Sequence, residues 1–195
     1  MQYNEIKNAF NSVAEIDAQV WNEFEQYFTT RRLQKNEVLW NSGEVCKHLI
    51  FIKKGLIRIF DSNSDKLNTL QFFFENKILT DYYSFTSQNP CIESYEAIEE
   101  TELIMIPRIV IYNFYDKYKT FERIGRITAE QNFISLAEIQ VQNKKLSPEE
   151  KYSKLVTERP KVIQRVSLKY IASYLGMTPE HLSRIRNKYS KIANK

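Results

Sequence analysis

The chain has 195 residues, 43% of them hydrophobic and 27% charged, which is enough for a substantial core in one large domain or two small ones. Its two cysteines, Cys46 and Cys91, are far apart and have no metal-ligand spacing, so a disulfide framework and a zinc site are both excluded as expectations. The net charge of +4 is uneven: residues 144–195 carry 13 Lys and Arg against 4 Asp and Glu, a balance of +9, which leaves −5 on residues 1–143. A basic C-terminal segment on an acidic body points to a polyanion-binding module or, equally, to a solvated basic face.

The opening MQYNEIKNAF lacks the basic-then-apolar order of a signal peptide. No run approaches the roughly 18 apolar residues that span a bilayer, so the expected setting is the reducing cytoplasm, with no membrane partner. Asp17 suits a helix N-cap, with Val20, Phe24 and Phe28 on one stripe after it. Then come RRLQKNEVLW, KHLIFIKK, LIRIFD, LNTLQFFF, IESYEAIE and ELIMIP, each rich in β-branched or aromatic residues. Turn residues such as Asn41-Ser42-Gly43 and Ser62-Asn63-Ser64 separate them, which predicts a β-barrel or jelly roll.

From about Ile109 to Asn143 there is no proline and the apolar residues recur at helical spacing. Ile127, Ile134 and Val141 lie seven apart, with Phe133 and Leu136 on a second edge. A helix of about 30 residues would run roughly 45 Å, too far for one small barrel to cover. Its free length is expected to pack on a second copy, with Gly125 a point of bending or close approach; packing wholly on its own domain is the alternative. Lys144-Lys145-Leu146 reads as a hinge, and Ser147-Pro148-Glu149-Glu150 as a helix start.

The stretch YIASYLGMTPEHLSRIRNK, residues 170–188, holds a small residue at Ala172, a turn glycine at Gly176 and a cap-plus-proline at Thr178-Pro179. Ile171 and Leu175 would bury a first helix, Leu182 and Ile185 a second. Thr178, Glu180, His181, Ser183, Arg184, Asn187 and Lys188 remain facing outward, side chains of the kind that read base edges and phosphates. This is a helix-turn-helix pattern. An αα-hairpin in a protein-interaction domain is the competing reading.

The order barrel, long helix, hinge and helix-turn-helix resembles the Crp/Fnr family of bacterial transcription regulators, named for the cyclic-AMP receptor protein and the fumarate–nitrate regulator. The resemblance covers nearly the whole chain. In NSGEVCKHLIFIKKGLIRIF, Gly43 and Gly55 take the family's two glycine places. It implies an α+β architecture: an N-terminal cyclic-nucleotide-binding-type β jelly roll (1–114), a dimerisation helix and hinge (115–145), and a C-terminal winged helix-turn-helix (146–195). It also implies a homodimer that binds double-stranded DNA sequence-specifically, contacts RNA polymerase and senses a small-molecule effector. A wing would have to come from Lys161 to Val166, because only a few residues follow Lys188.

Cyclic-nucleotide sensors of the family carry a Gly-Glu pair for the ribose and an Arg for the cyclic phosphate. Counted back from TELIMI, those places hold Thr80-Asp81 and Cys91, and no Arg or Lys lies between Lys77 and Arg108. A buried phosphate without a cation is poorly compensated, so cyclic AMP is not the expected ligand. The candidate pocket residues are Thr80, Asp81, Tyr82, Tyr83, Cys91 and Ile92, although TDYYSF could equally be core. Cys91 would be the thiol available to a redox effector. No N-terminal cysteine cluster signals iron–sulfur, and His48 and His181 read as surface residues rather than haem ligands. No metal is expected.

On the family's reading helix, an arginine, the glutamate beside it and a second arginine four residues beyond the glutamate reach bases. These places hold Pro179, Glu180 and Arg184. No enzyme motif is present; Asp81 with Glu93 or Glu96 is a carboxylate pair with nothing to activate. The other function class left open is a small-ligand binding module whose C-terminal helices mediate assembly instead of DNA binding.

Overall fold

The computed structural model describes residues 3–64 and 67–193, with 139–145 and 189–193 as backbone alone. Two helices, α1 (Asn4–Asn11) and α2 (Ala18–Phe24), precede the strands. Asp17 caps α2 by accepting from the Gln19 and Val20 amides. The first helix is absent from the sequence reading because only Ile6 and Phe10, four apart, mark its buried face.

Among the described residues eight strands follow: β1 (Thr29–Leu33), β2 (Val38–Trp40), β3 (His48–Lys54), β4 (Leu56–Asp61), β5 (Asn68–Phe74), β6 (Lys77–Leu79), β7 (Ser94–Ala97) and β8 (Thr101–Pro107). They form two four-stranded sheets, ordered β1-β8-β3-β6 and β2-β7-β4-β5. Every pairing is antiparallel, with Thr30 and Phe51 both opposite Ile104 across β8. Ile50, Ile52, Ile57, Leu103 and Ile106 fill the core between the sheets. The expected jelly roll is present, with RRLQKNEVLW split into β1 and β2 by a turn through Asn36 at φ 67°.

Between β6 and β7 lies a short helix, α3 (Tyr82–Ser87), and after β8 come α4 (Arg108–Lys117) and α5 (Lys119–Lys145). The single helix expected from about residue 109 is thus two. Tyr118 interrupts it at φ −130° and ψ 113°, an extended conformation that no helix accommodates. The Tyr118 hydroxyl donates to Glu23 at 2.6 Å, and the same carboxylate takes the Lys117 ammonium at 2.7 Å. Phe10, Phe24, Phe114 and Phe121 pack edge-on or tilted beside this break, with the Phe24 and Phe121 ring centroids 4.7 Å apart, so the start of α5 is fixed to the N-terminal helices.

α5 continues through Lys145, which reduces the expected hinge to Leu146 and Ser147. Among the described residues four helices follow: α6 (Pro148–Glu158), α7 (Pro160–Arg165), α8 (Leu168–Tyr174) and α9 (Pro179–Ala193). Ser147 and Glu150 form a reciprocal capping box at the start of α6. The expected wing at Lys161–Val166 is instead α7 and its end; among the described residues no strand follows β8. Pro160 at the first helical position pre-sets the backbone for a helix there. These helices do not stand apart: Val162, Ile171 and Leu182 share a second core with Leu56, Phe72 and Ile98 on the outer face of the β2-β7-β4-β5 sheet.

Candidate ligand cavity and nucleic-acid interface

A cavity of about 760 Å³ lies between the strands, α1, α3, α4 and α5. Leu49, Ile59, Phe73 and Ile78 come from the strands, Phe10 from α1, Phe85 from α3, Tyr112 and Tyr115 from α4, and Ile124, Thr128 and Ala129 from α5. The volume suits a small molecule, and the wall is dominated by apolar and aromatic side chains. Gly125 permits the close approach of α4 to α5, because a Cβ there would lie 2.7 Å from the Tyr115 ring.

The residues expected to form a pocket divide into three groups. Thr80 and Tyr82 line the cavity. Asp81 and Cys91 are buried beside it, whereas Tyr83 and Ile92 are exposed to solvent. The Asp81 carboxylate caps α3 by accepting from the Ser84 amide at 2.8 Å, and its Oδ2 has no hydrogen-bond partner. Burial, reinforced by Asp81, pushes the Cys91 thiol up to about 11 and raises the carboxyl of Glu93. The Tyr95 phenol is raised by the same causes. Cys46, which the sequence reading did not place here, contacts the Thr80 hydroxyl at 3.3 Å and is likewise raised by burial. The Cys91 thiol is therefore neither the only one at this place nor an activated one. His48 is half-buried at the start of β3 and His181 half-exposed at the start of α9. No three His, Cys, Asp or Glu side chains among the described residues group to hold a metal ion.

Cations are scarce at the cavity. Among the described residues lining it Arg126 is the one cation, and its largely exposed guanidinium pairs with Glu130 at 2.6 Å. Arg108 packs over the Tyr112 ring at 3.9 Å and donates to the Phe85 carbonyl. Arg58 and Glu96 face the other side of the sheet. There they pair at 2.7 Å, with Arg58 also donating to Thr69 and lying 4.2 Å from the rings of Phe60 and Tyr170.

At the C-terminal helices, α8 ends at Tyr174 with Leu175 as its C-cap, and Gly176 turns the chain at φ 70°. The Met177 amide donates back to the Ala172 carbonyl, closing the turn. Thr178 caps α9 by accepting from the His181 amide at 3.2 Å, so its oxygen serves the helix end. Leu182 and Ile185 are buried against α8, as spaced in the sequence. Glu180, Arg184, Asn187 and Lys188 are exposed, and His181 and Ser183 half-exposed. Arg186 is exposed on the same helix and was not singled out, because its position falls between the two apolar residues' stripe and the expected reading face. Glu180 is held below the usual carboxylate range by its own backbone amide and Thr178, with Arg184 adding to it.

Residues 30–118 match the cyclic nucleotide-binding domain family. The chain as a whole, β-roll, long helix and C-terminal helices, has the fold of the Crp/Fnr transcription regulators. It superposes on a Eubacterium rectale protein assigned to the crp/fnr family of transcriptional regulators with a TM-score of 0.73 at 17% identity, covering 94% of this chain and 88% of that one. The c-di-GMP-responsive global regulator CLP of Xanthomonas campestris gives 0.70 at 15% identity over 91% and 93%. A CooA mutant from Carboxydothermus hydrogenoformans gives 0.67 at 15% over 86% and 78%. No curated protein matches the sequence significantly. Among the described residues no helix is long and apolar enough to cross a membrane.

Proposed function

We propose that this chain is a DNA-binding transcription regulator of the Crp/Fnr type. In this reading it acts as a homodimer through α5, without catalysis, in the cytoplasm, where promoter DNA and RNA polymerase are found, and its β-roll senses a small molecule other than a cyclic nucleotide. The observation that carries the reading is α9: its apolar side is buried against α8 while its polar side, Glu180 through Lys188, is open to solvent. Such a helix is held rigidly and offered outward, as entry into a major groove requires.

Glu180 and Arg184 stand one turn apart on that face, where Arg184 can donate to guanine O6 and N7 and Glu180 accept from cytosine N4. The proline at 179 supplies no such contact, so the half-site keeps a G·C preference at the positions read by the pair and loses discrimination at the first. Selection of bound sequences from a random pool, for wild type and Arg184→Ala, tests this. The substitution is expected to cost about 1–3 kcal/mol and to flatten one position, whereas Lys188→Ala weakens all sequences alike and lowers the salt slope by about 1. Failure of the wild type to select any sequence at low salt would favour the assembly-module reading.

Against a cyclic nucleotide stand Asp81 and the missing cation. The amide of Ser84 at the α3 terminus already serves a carboxylate, and among the described lining residues the one guanidinium, Arg126, sits on the exposed side of α5 beside Glu130. Calorimetric titration with cyclic AMP and cyclic GMP is expected to give no micromolar binding.

A further inference from the structure

We propose that the cavity beneath α5 receives an uncharged, mainly apolar ring compound. The assignment rests on the regulator reading only for calling that compound an effector; binding itself is tested without DNA.

Three observations carry it. The first is size: about 760 Å³ is far beyond the packing defects of a protein interior and lies within the range of small-molecule sites. The second is the wall. Phe10, Phe73, Phe85, Tyr112, Tyr115 and Phe121 contribute rings from α1, β5, α3, α4 and α5. Rings on several sides favour a flat aromatic guest, which stacks edge or face against them.

The third observation is electrostatic. Between the lining residues Thr80 and Tyr82, the side chain of Asp81 is buried with 2% exposure and one carboxylate oxygen unpartnered. Its influence reaches outward, since it helps to raise the neighbouring Cys91, Glu93 and Tyr95. An anion entering would lose hydration and find one lining guanidinium, Arg126, on the exposed side of α5 beside Glu122 and Glu130, with the Asp81 carboxylate buried next in the chain to Thr80 and Tyr82. A neutral guest bears neither cost. The Thr80 hydroxyl donates to the His48 carbonyl and the Gln71 amide oxygen accepts from Arg159, so the lining Thr128 hydroxyl and Asn132 amide of α5 are the polar points on which one hydroxyl or carbonyl of the guest can orient.

A pair of fluorescent probes with one skeleton separates these contributions. N-phenyl-1-naphthylamine is uncharged, and 8-anilino-1-naphthalenesulfonate is the same ring system bearing a sulfonate. Titrated into the full chain, the neutral probe is expected to saturate at one per chain and to bind at least 10-fold more tightly than the sulfonate. Thr128→Trp, which fills the α5 side of the cavity, is expected to abolish saturable binding, while Lys53→Ser on the exposed part of β3 retains it. Asp81→Asn keeps an acceptor for the Ser84 amide and is expected to narrow the gap between the probes at least threefold. Equal affinity of the two probes in wild type would overturn the proposal, as would loss of binding in Lys53→Ser with retention in Thr128→Trp. Should Thr128→Trp fail to fold, displacement of the neutral probe by cyclic AMP serves instead: displacement at micromolar nucleotide overturns the proposal, and none up to millimolar supports it. Sequence-selective DNA binding without probe binding would refute this inference alone.

Discussion

At Gly55 the chain passes from β3 to β4 with φ 104°, a conformation that side chains rarely adopt. A Cβ there would also lie 2.6 Å from the Thr101 Cα, and backbone cannot give way as a side chain can. Gly55→Ala is therefore expected to destabilise the fold by more than about 1 kcal/mol in urea unfolding, despite reducing the freedom of the unfolded chain. A midpoint equal to wild type would show that the turn relaxes. The thiols make a second residue-scale case. A pKa of about 11 for Cys91, against an ordinary 9.0, cuts its thiolate at neutral or mildly alkaline pH by roughly 100-fold before access is considered. Labelling with a disulfide reagent at pH 8 is expected to be slow for both cysteines in the native protein and fast in urea. Rapid native labelling of Cys91 would restore the redox reading that its position in the sequence invites.

The elements show where a sequence stops being informative. α8, the Gly176 turn and α9 were legible because every determinant is local: a small residue, a positive-φ glycine, a cap, a proline and two apolar stripes within 19 residues. The two-sided burial of β4 was not, since LIRIFD reads as an ordinary strand with polar positions at Arg58 and Asp61, yet Leu56, Ile57 and Arg58 are all buried. The outer face of that strand is covered by helices more than 90 residues later, and no local pattern announces it. The basic charge of the C-terminal segment has a related explanation. Arg159 donates to Gln71 and to the Phe72 carbonyl, and Arg165 pairs with Glu75 and Glu99, so part of the +9 is matched by the acidic barrel rather than reserved for a polyanion. Arg165 is the main cause that holds Glu75 at about 2, against its ordinary 4.5. Because the folded value is the lower one, the stabilisation is complete above about 4.5 and is lost as pH falls towards 2. Urea unfolding followed from pH 6 to 2 should therefore lose stability in that window, and Arg165→Met should flatten the loss. Parallel curves for the two proteins would mean that this pair does not set the acid response. Arg58→Ala leaves Glu96 buried and unpaired, and is expected to cost about 3–5 kcal/mol and to loosen α8 from the sheet through the lost Tyr170 contact.

On the scale of the whole molecule, α5 is the element left incomplete. Its 27 residues run about 40 Å, and only the first third is covered: Phe121 and Ile124 are buried, Ile127 is half-buried, and residues 131–138 are exposed throughout. Phe133, Ile134 and Leu136 are 74%, 56% and 62% exposed, while Val141 lies where only the backbone is described. A polar helix of that length would be tolerable in water, but three large apolar side chains within four residues call for a partner. The seven-residue step from Ile127 to Ile134 keeps both on one stripe, which suits a parallel neighbour of the same sequence and sets the two α9 helices on one side of the pair. Sedimentation equilibrium at micromolar concentration is accordingly expected to report about twice the chain mass of 23.2 kDa. Ile134→Glu places a charge in the seam and should move the mass towards 23.2 kDa. It should also weaken binding to a two-half-site operator much more than to a single half-site, because only the paired site needs both reading helices held at fixed spacing. A wild-type monomer at those concentrations would remove the dimer from the proposed function, and equal losses on both operators would assign the effect of Ile134→Glu to misfolding rather than to the seam.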